Sequence, residues 1–385
     1  MTNPSIVVIS YNRHDCLTRL LSSLSSAKYP AENIRLVISI DRSDNPKVLE
    51  TAESFCWKHG TKEVVAHKEK KGLRDHVLSC GDLAVRFGAV ILLEDDLFVS
   101  PLFYEYSSEC LRHYATQEKI AGISLYAHRT NVNCHHPFEP IIDGTDVFFL
   151  QFASSWGQAW TAAQWSEFRT WYDAAKRSVT SEDYLPAGVV NWPESSWLKY
   201  FIKYMVCNDL YFVYPRNSLT TNYSDPGTHN FKASRRFQVP LQIRRPNEGW
   251  RFAKFERSVS IYDVFFELVP ASVASLAPHL GVTEFTVDLY GTKPLDKIRT
   301  PFMLTCRPCD HSLTSFGCSL RPRDANLLFG SLGGRFSLAE TGSVSEMRSR
   351  PDWEIEYDIN LPPTRPLYRY IFRQLICDIK RKLLK

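Results

Sequence analysis

Three consecutive carboxylates, Glu94-Asp95-Asp96, end the apolar run Ala89-Val90-Ile91-Leu92-Leu93 and lead into Leu97-Phe98-Val99-Ser100-Pro101. Adjacent carboxylates repel one another unless a cation joins them, and hard divalent cations prefer carboxylate and phosphate oxygens. The cluster therefore points to a divalent metal working with a phosphate-bearing substrate. The plainer alternative is an acidic turn that caps the helix starting near Pro101.

The elements that must position these acids read clearly. The apolar run is the pattern of a strand buried on both faces of a sheet, and open α/β sheets bind ligands at the carboxyl ends of such strands. Ser5–Ile9 is a second run of this kind, followed by the polar loop Ser10-Tyr11-Asn12-Arg13. Leu17, Leu20, Leu21 and Leu24 then predict an amphipathic helix that ends before Pro30. Ile34–Ile40 is a strand ending in Asp41, Pro46 opens a helix that Gly60 closes, and Val64–Ala66 is a short strand. Asp75–Phe87 reads as one helix, residues 101–116 as another, and Ile120–Leu125 as a further strand. The alternation predicts an α/β fold with a mostly parallel sheet and helices on both faces. The loops at Tyr11–Arg13, Asp41–Asp44 and Glu94–Asp96 then open on one edge.

Other chemistries are excluded. Neither a Gly-x-Gly-x-x-Gly loop after the first strand nor a phosphate-binding Gly-Lys-Ser/Thr loop is present. A net charge of +4 over 385 residues gives no reason to expect a nucleic-acid partner. No leader and no membrane-spanning run is visible, so a cytoplasmic location is expected. The ten cysteines are scattered, as reduced thiols would be. Cys306, Cys309, His311 and Cys318 offer a single ligand knuckle, with zinc the alternative to plain thiols.

Residues 145–230 are aromatic-rich and read as irregular, with Trp156 and Trp160 available either to stack on sugar rings or to fill the core. From Thr283 short alternating strands separated by Gly and Pro predict a small β-rich region reaching about residue 345. Pro351, Pro362, Pro363 and Pro366 mark a linker. Residues 365–385 carry seven Lys/Arg against one acid, a net +6, with apolar residues every fourth position from Leu367 to Leu383. That is a basic amphipathic helix, suited to an anionic membrane surface or to docking on the protein's own body.

Taken together, Val7–Arg13 resembles the first motif of family-2-type bacterial sugar transferases, and Leu92–Tyr104 resembles the metal motif of the N-acetylglucosaminyltransferase I family. Phe148-Phe149 and Ser155–Trp160 are similar to the aromatic-Gly-Trp stretch that follows it there. The likeness covers roughly residues 5–230. It implies a GT-A glycosyltransferase that inverts, uses Mn2+ or Mg2+, and takes a nucleoside diphosphate sugar, a UDP-linked one being expected, to a glycan or lipid-linked acceptor. Residues 1–250 would form the catalytic domain (donor half 1–125, acceptor half 126–250), 251–350 an accessory domain, and 351–385 the linker and terminal helix. Asp96 would bind the metal, Asp95 would contact the ribose or a metal-bound water, and Glu94 would face the sugar. Ser10, Tyr11, Asn12, Arg13 and Asp41 would surround the nucleotide, Arg74 its phosphates, and Trp156 the sugar. A late histidine, His229, would complete the metal site. The catalytic base would be Glu194, with Asp183 as its rival. Such an enzyme would suit surface polysaccharide synthesis on the inner face of the plasma membrane. The competing readings are an impaired glycan-binding or scaffold protein on this fold and a sugar-phosphate nucleotidyltransferase.

Overall fold

The computed structural model describes residues 3–30, 32–174, 178–223, 225, 235, 237–347, 349–350, 353–354, 357, 368–369, 371–373, 375–376 and 379. Its first part alternates as predicted: β1 (Ser5–Ser10), α1 (His14–Ser25), β2 (Leu36–Ile40), α2 (Pro46–Ser54), β3 (Lys62–Ala66), α3 (Leu73–Gly81), α4 (Leu83–Phe87), β4 (Ala89–Glu94), β5 (Leu97–Val99), α5 (Phe103–Tyr114) and β6 (Ile120–Ser124). β1 lies between β2 and β4 and is parallel to both, and β3 extends the sheet beyond β2. Period-two alternation splits each central strand between two cores. Ile6 and Val8 of β1 join Ile91 and Leu93 of β4 under α1, α2 and α5. Val7 and Ile9 join Val90 and Leu92 under α3 and α4 on the opposite face. Leu17, Leu20, Leu21 and Leu24 all face inward from α1.

The aromatic-rich region is more regular than its sequence suggests. It contributes β7 (Val147–Leu150), β8 (Gln158–Thr161), α6 (Ala162–Ala174), α7 (Ala187–Val190), α8 (Leu198–Cys207), β9 (Tyr211–Pro215) and β10 (Thr220–Asn222). With β11 (Ile261–Tyr262) the large sheet runs β11-β7-β9-β6-β8-β4-β1-β2-β3. β8 enters antiparallel between β4 and β6, and β7 is antiparallel to β9, while the other pairings are parallel. This is the α/β architecture, with a mostly parallel sheet and helices on both faces, that the alternation of elements predicts. The short antiparallel pair of β5 and β10 sits immediately after the acids, with Leu97 opposite Asn222.

Beyond α9 (Pro270–Leu276) a second sheet is built from β12 (Phe285–Asp288), β13 (Phe302–Thr305), β14 (Ser312–Phe316) and β15 (Phe336–Glu340), with α10 (Arg323–Leu328) beside it. The large sheet thus continues past residue 250 to Tyr262 before the second begins. The second sheet's Phe285, Val287, Leu304 and Leu338 belong to the same core as Val7 and Trp160. Charged groups seal the junction: Lys293 pairs with Asp263 at 2.5 Å and Arg307 with Asp288 at 2.6 Å. Glu267 accepts from the Tyr290 amide at 2.7 Å.

Two local expectations are corrected. The helix read over Asp75–Phe87 is two helices, broken at Asp82, and Gly81 at the end of the first leaves room for the Trp165 ring that α6 brings against it. Trp165 Nε1 donates to Asp82 Oδ1 at 2.8 Å, which the break makes accessible. Gly60 closes no helix, since α2 ends at Ser54; it lies against the Ile34 backbone, where a methyl group would stand 2.3 Å from the Ile34 carbonyl oxygen.

A Gly81→Ala variant is expected to lose about 2 kcal/mol of stability in urea unfolding. Its methyl would come within 2.1 Å of the Trp165 ring. An unchanged midpoint would show that the ring moves aside freely.

Candidate functional site

The carboxyl ends of β1, β2 and β4 meet as the buried-strand pattern requires. Register places Ile9 beside Glu94 and Ser10 beside Ile40, so Ser10, Asp41 and the three acids share one edge. Ser10 Oγ donates to Asp95 Oδ2 at 2.8 Å. The Arg13 guanidinium spans the two aspartates, donating from Nη2 to Asp95 Oδ1 and from Nη1 to Asp96 Oδ2 at 3.1 Å. Against the opposing effect of its own burial, Arg13 is held firmly charged by Asp95 and Asp96. Burial raises the Asp95 carboxyl while Arg13 pulls it back. Burial, then the charges of Asp96 and Asp95, push Glu94 up to about 8. Asp96 Oδ1 is buried without a hydrogen-bond partner.

The surrounding loops are tied to this edge. Asp41 is buried, and its carboxylate accepts from the amides of Arg42 and Lys71 at 2.8 Å and of Gly72 at 2.9 Å. Despite burial, these amides, Lys71's foremost, lower its pKa. Asp41 therefore fixes the turn that starts α3, and with it Arg74. Arg74 Nη1 donates to the Glu194 carbonyl at 2.9 Å, which brings the 191–197 segment to the same edge. Asn45 Nδ2 donates to the Asn12 carbonyl at 3.0 Å, and the Lys70 ammonium lies 5.2 Å over the Tyr11 ring.

On the other side, Tyr223 N donates to the Asp96 carbonyl at 3.1 Å, so β10 delivers the chain directly to the acids. Arg19 lies 4.3 Å over the Tyr223 ring and pairs with Asp225. The expected ligand His229 lies outside the described residues. Half-buried Trp156 packs on Tyr126 at 4.7 Å and Phe237 at 4.8 Å, and its carbonyl accepts from Thr220 Oγ1 at 2.5 Å. Trp160 is fully buried among Trp165, Trp197 and Phe201, which settles it as a core tryptophan rather than a sugar platform.

The two candidate bases are both ion-paired. Glu194 takes a hydrogen bond from Tyr200 and one from buried Lys199 at 2.9 Å, and these two donors lower its carboxyl. Asp183 is held by Lys203 at 2.8 Å and by the Thr180 amide at 2.8 Å. Among the described residues Asp183 makes no hydrogen bond to the group around Asp95 and Asp96. Cys306, Cys309 and Cys318 are free thiols, and no group of three metal-ligating side chains forms among the described residues.

The pair at Asp95 and Asp96 still suits a hard cation. Mg2+-like ions are held by one or two carboxylates together with substrate phosphates rather than by closed protein cages. Asp96 Oδ1 is a buried oxygen whose lone pairs meet no donor, and Arg13 marks where positive charge is required.

A second polar cluster, with no signal in the sequence, backs the Asp41 turn. Ser39 Oγ lies 2.7 Å from His76 Nε2 and 3.2 Å from His67 Nε2. Burial holds His76 down to about 4, against the pull of Asp41. His128, buried beneath Trp156, is pressed down to about 3 by burial alone.

Neither a protein-family profile nor a curated protein sequence matches the chain. Among solved structures it is similar to a mannosyltransferase, PcManGT from Pyrobaculum calidifontis in complex with GDP-Man and Mn2+, at 12% identity and a TM-score of 0.30, covering 42% of this chain and 44% of that one. It is also similar to S. aureus TarS, at 12% identity and a TM-score of 0.36, covering 56% of this chain and 36% of that one. A third likeness is to S. aureus TarS 1–349 in complex with UDP-GlcNAc, at 12% identity and a TM-score of 0.38, covering 60% of this chain and 61% of that one. The match spans less than two thirds of each of these structures. Likenesses this slight carry no argument about the chemistry of this site.

The depressed histidines fix a pH dependence. His76 and His128 stay neutral in the fold, whereas in the unfolded chain they take up protons below about 6.5. The unfolded state then binds more protons, so stability falls as pH drops from about 6.5 towards 4 by roughly 1.4 kcal/mol per unit of separation for each histidine. Thermal melts across this window should show a declining Tm, and His76→Gln should flatten the decline. A pH profile that His76→Gln leaves unchanged would show that His76 protonates in the fold.

Proposed function

We propose that this chain is an inverting, metal-dependent glycosyltransferase. It moves a sugar from a nucleoside diphosphate sugar, UDP-linked, to a glycan or lipid-linked acceptor in surface polysaccharide synthesis. The observation that carries the reading is the buried, unpartnered Asp96 Oδ1 beside an Asp95 fixed by Ser10 and Arg13. These groups stand at the carboxyl edge where open α/β sheets take their ligands.

Asp96, with Asp95 beside it and His229 as a further ligand, would hold Mn2+ or Mg2+; when bound, the ion offsets the charge that builds on the departing nucleoside diphosphate. The protein's own residues do the rest. Tyr11 and Asn12 border the nucleotide, and Asp41 sets the Lys71-Gly72 turn so that Arg74 is presented to the phosphates. Glu94 faces the sugar, and Trp156 offers its aromatic face. Arg13, already paired with both aspartates, shares the positive charge of the site and orients their carboxylates. Glu194 accepts the proton of the acceptor hydroxyl; its low pKa makes it a weak base, and departure of the Lys199 and Tyr200 hydrogen bonds would raise its basicity. The protein works as a peripheral protein on the cytoplasmic face of the membrane.

One observation favours a second reading, a catalytically impaired glycan-binding protein: Glu194 and Asp183 are both engaged by lysines. The two readings separate experimentally. Under the transferase reading, UDP-sugars with Mn2+ raise the Tm by mass action. Asp96→Asn should abolish that shift and lower donor hydrolysis or transfer at least ~100-fold, with the metal-free Tm unchanged. Glu194→Gln keeps the carbonyl that receives Arg74, so it should retain the donor-induced shift while losing turnover about 100-fold. Transfer that persists in a chelator would overturn the metal mechanism. Glycan binding without turnover in any metal–donor combination would establish the impaired protein.

A further inference from the structure

The strand between β4 and β6 begins with a buried polar residue that its neighbours leave unmet. Gln158, the first residue of β8, is 2% exposed, and its Oε1 is buried without a hydrogen-bond partner. A carboxamide oxygen takes donors, and one left unmet inside a protein loses the hydration it had in the unfolded chain. The cross-strand neighbours do not supply one. Leu92 stands opposite on β4 and Ser124 opposite on β6. Leu92 has nothing to donate, and the Ser124 hydroxyl is spent on the Tyr126 carbonyl at 2.9 Å. An apolar side chain would fill the position without this cost, so packing alone gives no reason for a glutamine here.

The position belongs to the functional edge. β8 runs antiparallel to β4, so its first residue lies at the carboxyl end of β4, opposite Leu92 and diagonal to Glu94. Alternation puts these side chains on one face: Leu92 and Trp160 share one core, whereas Ala159 belongs to the other. The same face carries the 191–197 segment. Trp160 packs on Trp197 at 6.1 Å, and Arg74 Nη1 holds the Glu194 carbonyl from the first turn of α3. Trp160 Nε1 is also buried without a partner, but it lies against Gly122, and its ring is enclosed by Trp165 and Phe201 within the apolar core. Gln158 stands two residues nearer the edge, where the strand begins.

We infer that Gln158 is a specificity-determining residue that reads the transferred sugar, its Oε1 accepting from a sugar hydroxyl or acylamino N–H. The inference rests on the sugar-transfer reading, in which the sugar lies between the phosphates at Arg74 and the base at Glu194. A buried acceptor that the substrate alone satisfies discriminates strongly, because a sugar lacking the donor leaves it unpaired. The cost of the unmet group falls on the free protein and is relieved when the sugar binds.

The test replaces Gln158 with methionine, which keeps the length of the side chain and removes its polar end. Titration calorimetry with Mn2+ compares UDP, UDP-glucose and UDP-GlcNAc, and thermal melts follow the ligand-free protein. Gln158→Met should hold the ligand-free Tm or raise it by about 1–3 °C, because an unsatisfied buried group is lost. Relative to UDP, which lacks the sugar, the better-bound UDP-sugar should weaken about tenfold. A lowered Tm would show that the carboxamide serves the fold, which overturns the inference and leaves the transferase reading intact. An unchanged ratio of UDP-sugar to UDP affinity does the same. If the unmodified protein binds neither UDP nor either UDP-sugar, the transferase reading fails, and the sugar as the partner of Gln158 fails with it.

Discussion

The Arg13 guanidinium is the interaction on which the functional edge depends. It bridges Asp95 and Asp96 from the loop after β1, and Ser10 adds a second tie from the same loop. Two unit charges of like sign about 4 Å apart repel by about 4 kcal/mol at the effective dielectric of a protein margin. A parallel sheet that ends two acids side by side must supply positive charge or protonate one of them. This protein supplies the positive charge, with Arg13 across both aspartates, while burial and the charges of Asp96 and Asp95 push neighbouring Glu94 up to about 8. The β1 loop is consequently ordered by the acids it serves. A ligand bringing its own cation competes with, or joins, a guanidinium already in place, so the site is shaped before anything binds.

Much of this edge is legible in the sequence because buried parallel strands announce themselves. Ala89–Leu93 and Ser5–Ile9 are continuous apolar runs, and the polar residues that follow must lie at strand ends. What is not legible depends on partners remote in the chain. Nothing near Asp41 reveals that the amides of Lys71 and Gly72 will close on it, and nothing near Glu194 reveals a buried lysine five residues on whose ammonium turns inward. The strands β7, β8 and β9 hide in an aromatic-rich stretch where side-chain bulk masks the alternation. Their order in the sheet is set by pairing across residues 89–215, which no local pattern encodes. Gly81 shows the same limit in miniature, since the ring it makes room for is Trp165, more than eighty residues on.

The second sheet shares its packing with the first: the large sheet takes in β11, and a single core runs from Val7 to Leu338. The junction is also crossed by buried charge. Glu267, Lys293, Asp288 and Arg307 are buried there, Lys293 paired with Asp263 and Arg307 with Asp288, and a buried charge destabilises a fold unless it is paired. Hydrophobic contacts alone would let the second sheet slide; paired charges with fixed hydrogen-bond geometry admit one docking.

That single docking has a consequence for how the two ends of the molecule relate. Phe266, on the junction, packs at 5.5 Å on His128 and 5.3 Å on Phe152, and His128 in turn lies 5.9 Å from Trp156 at the candidate site. Side chains in contact along this line are close-packed, and close-packed interiors transmit displacement rather than absorb it. A hinge between the sheets would have to break both the aromatic line and the ion pairs, leaving buried charges unpaired. The second sheet is therefore a fixed extension of the first.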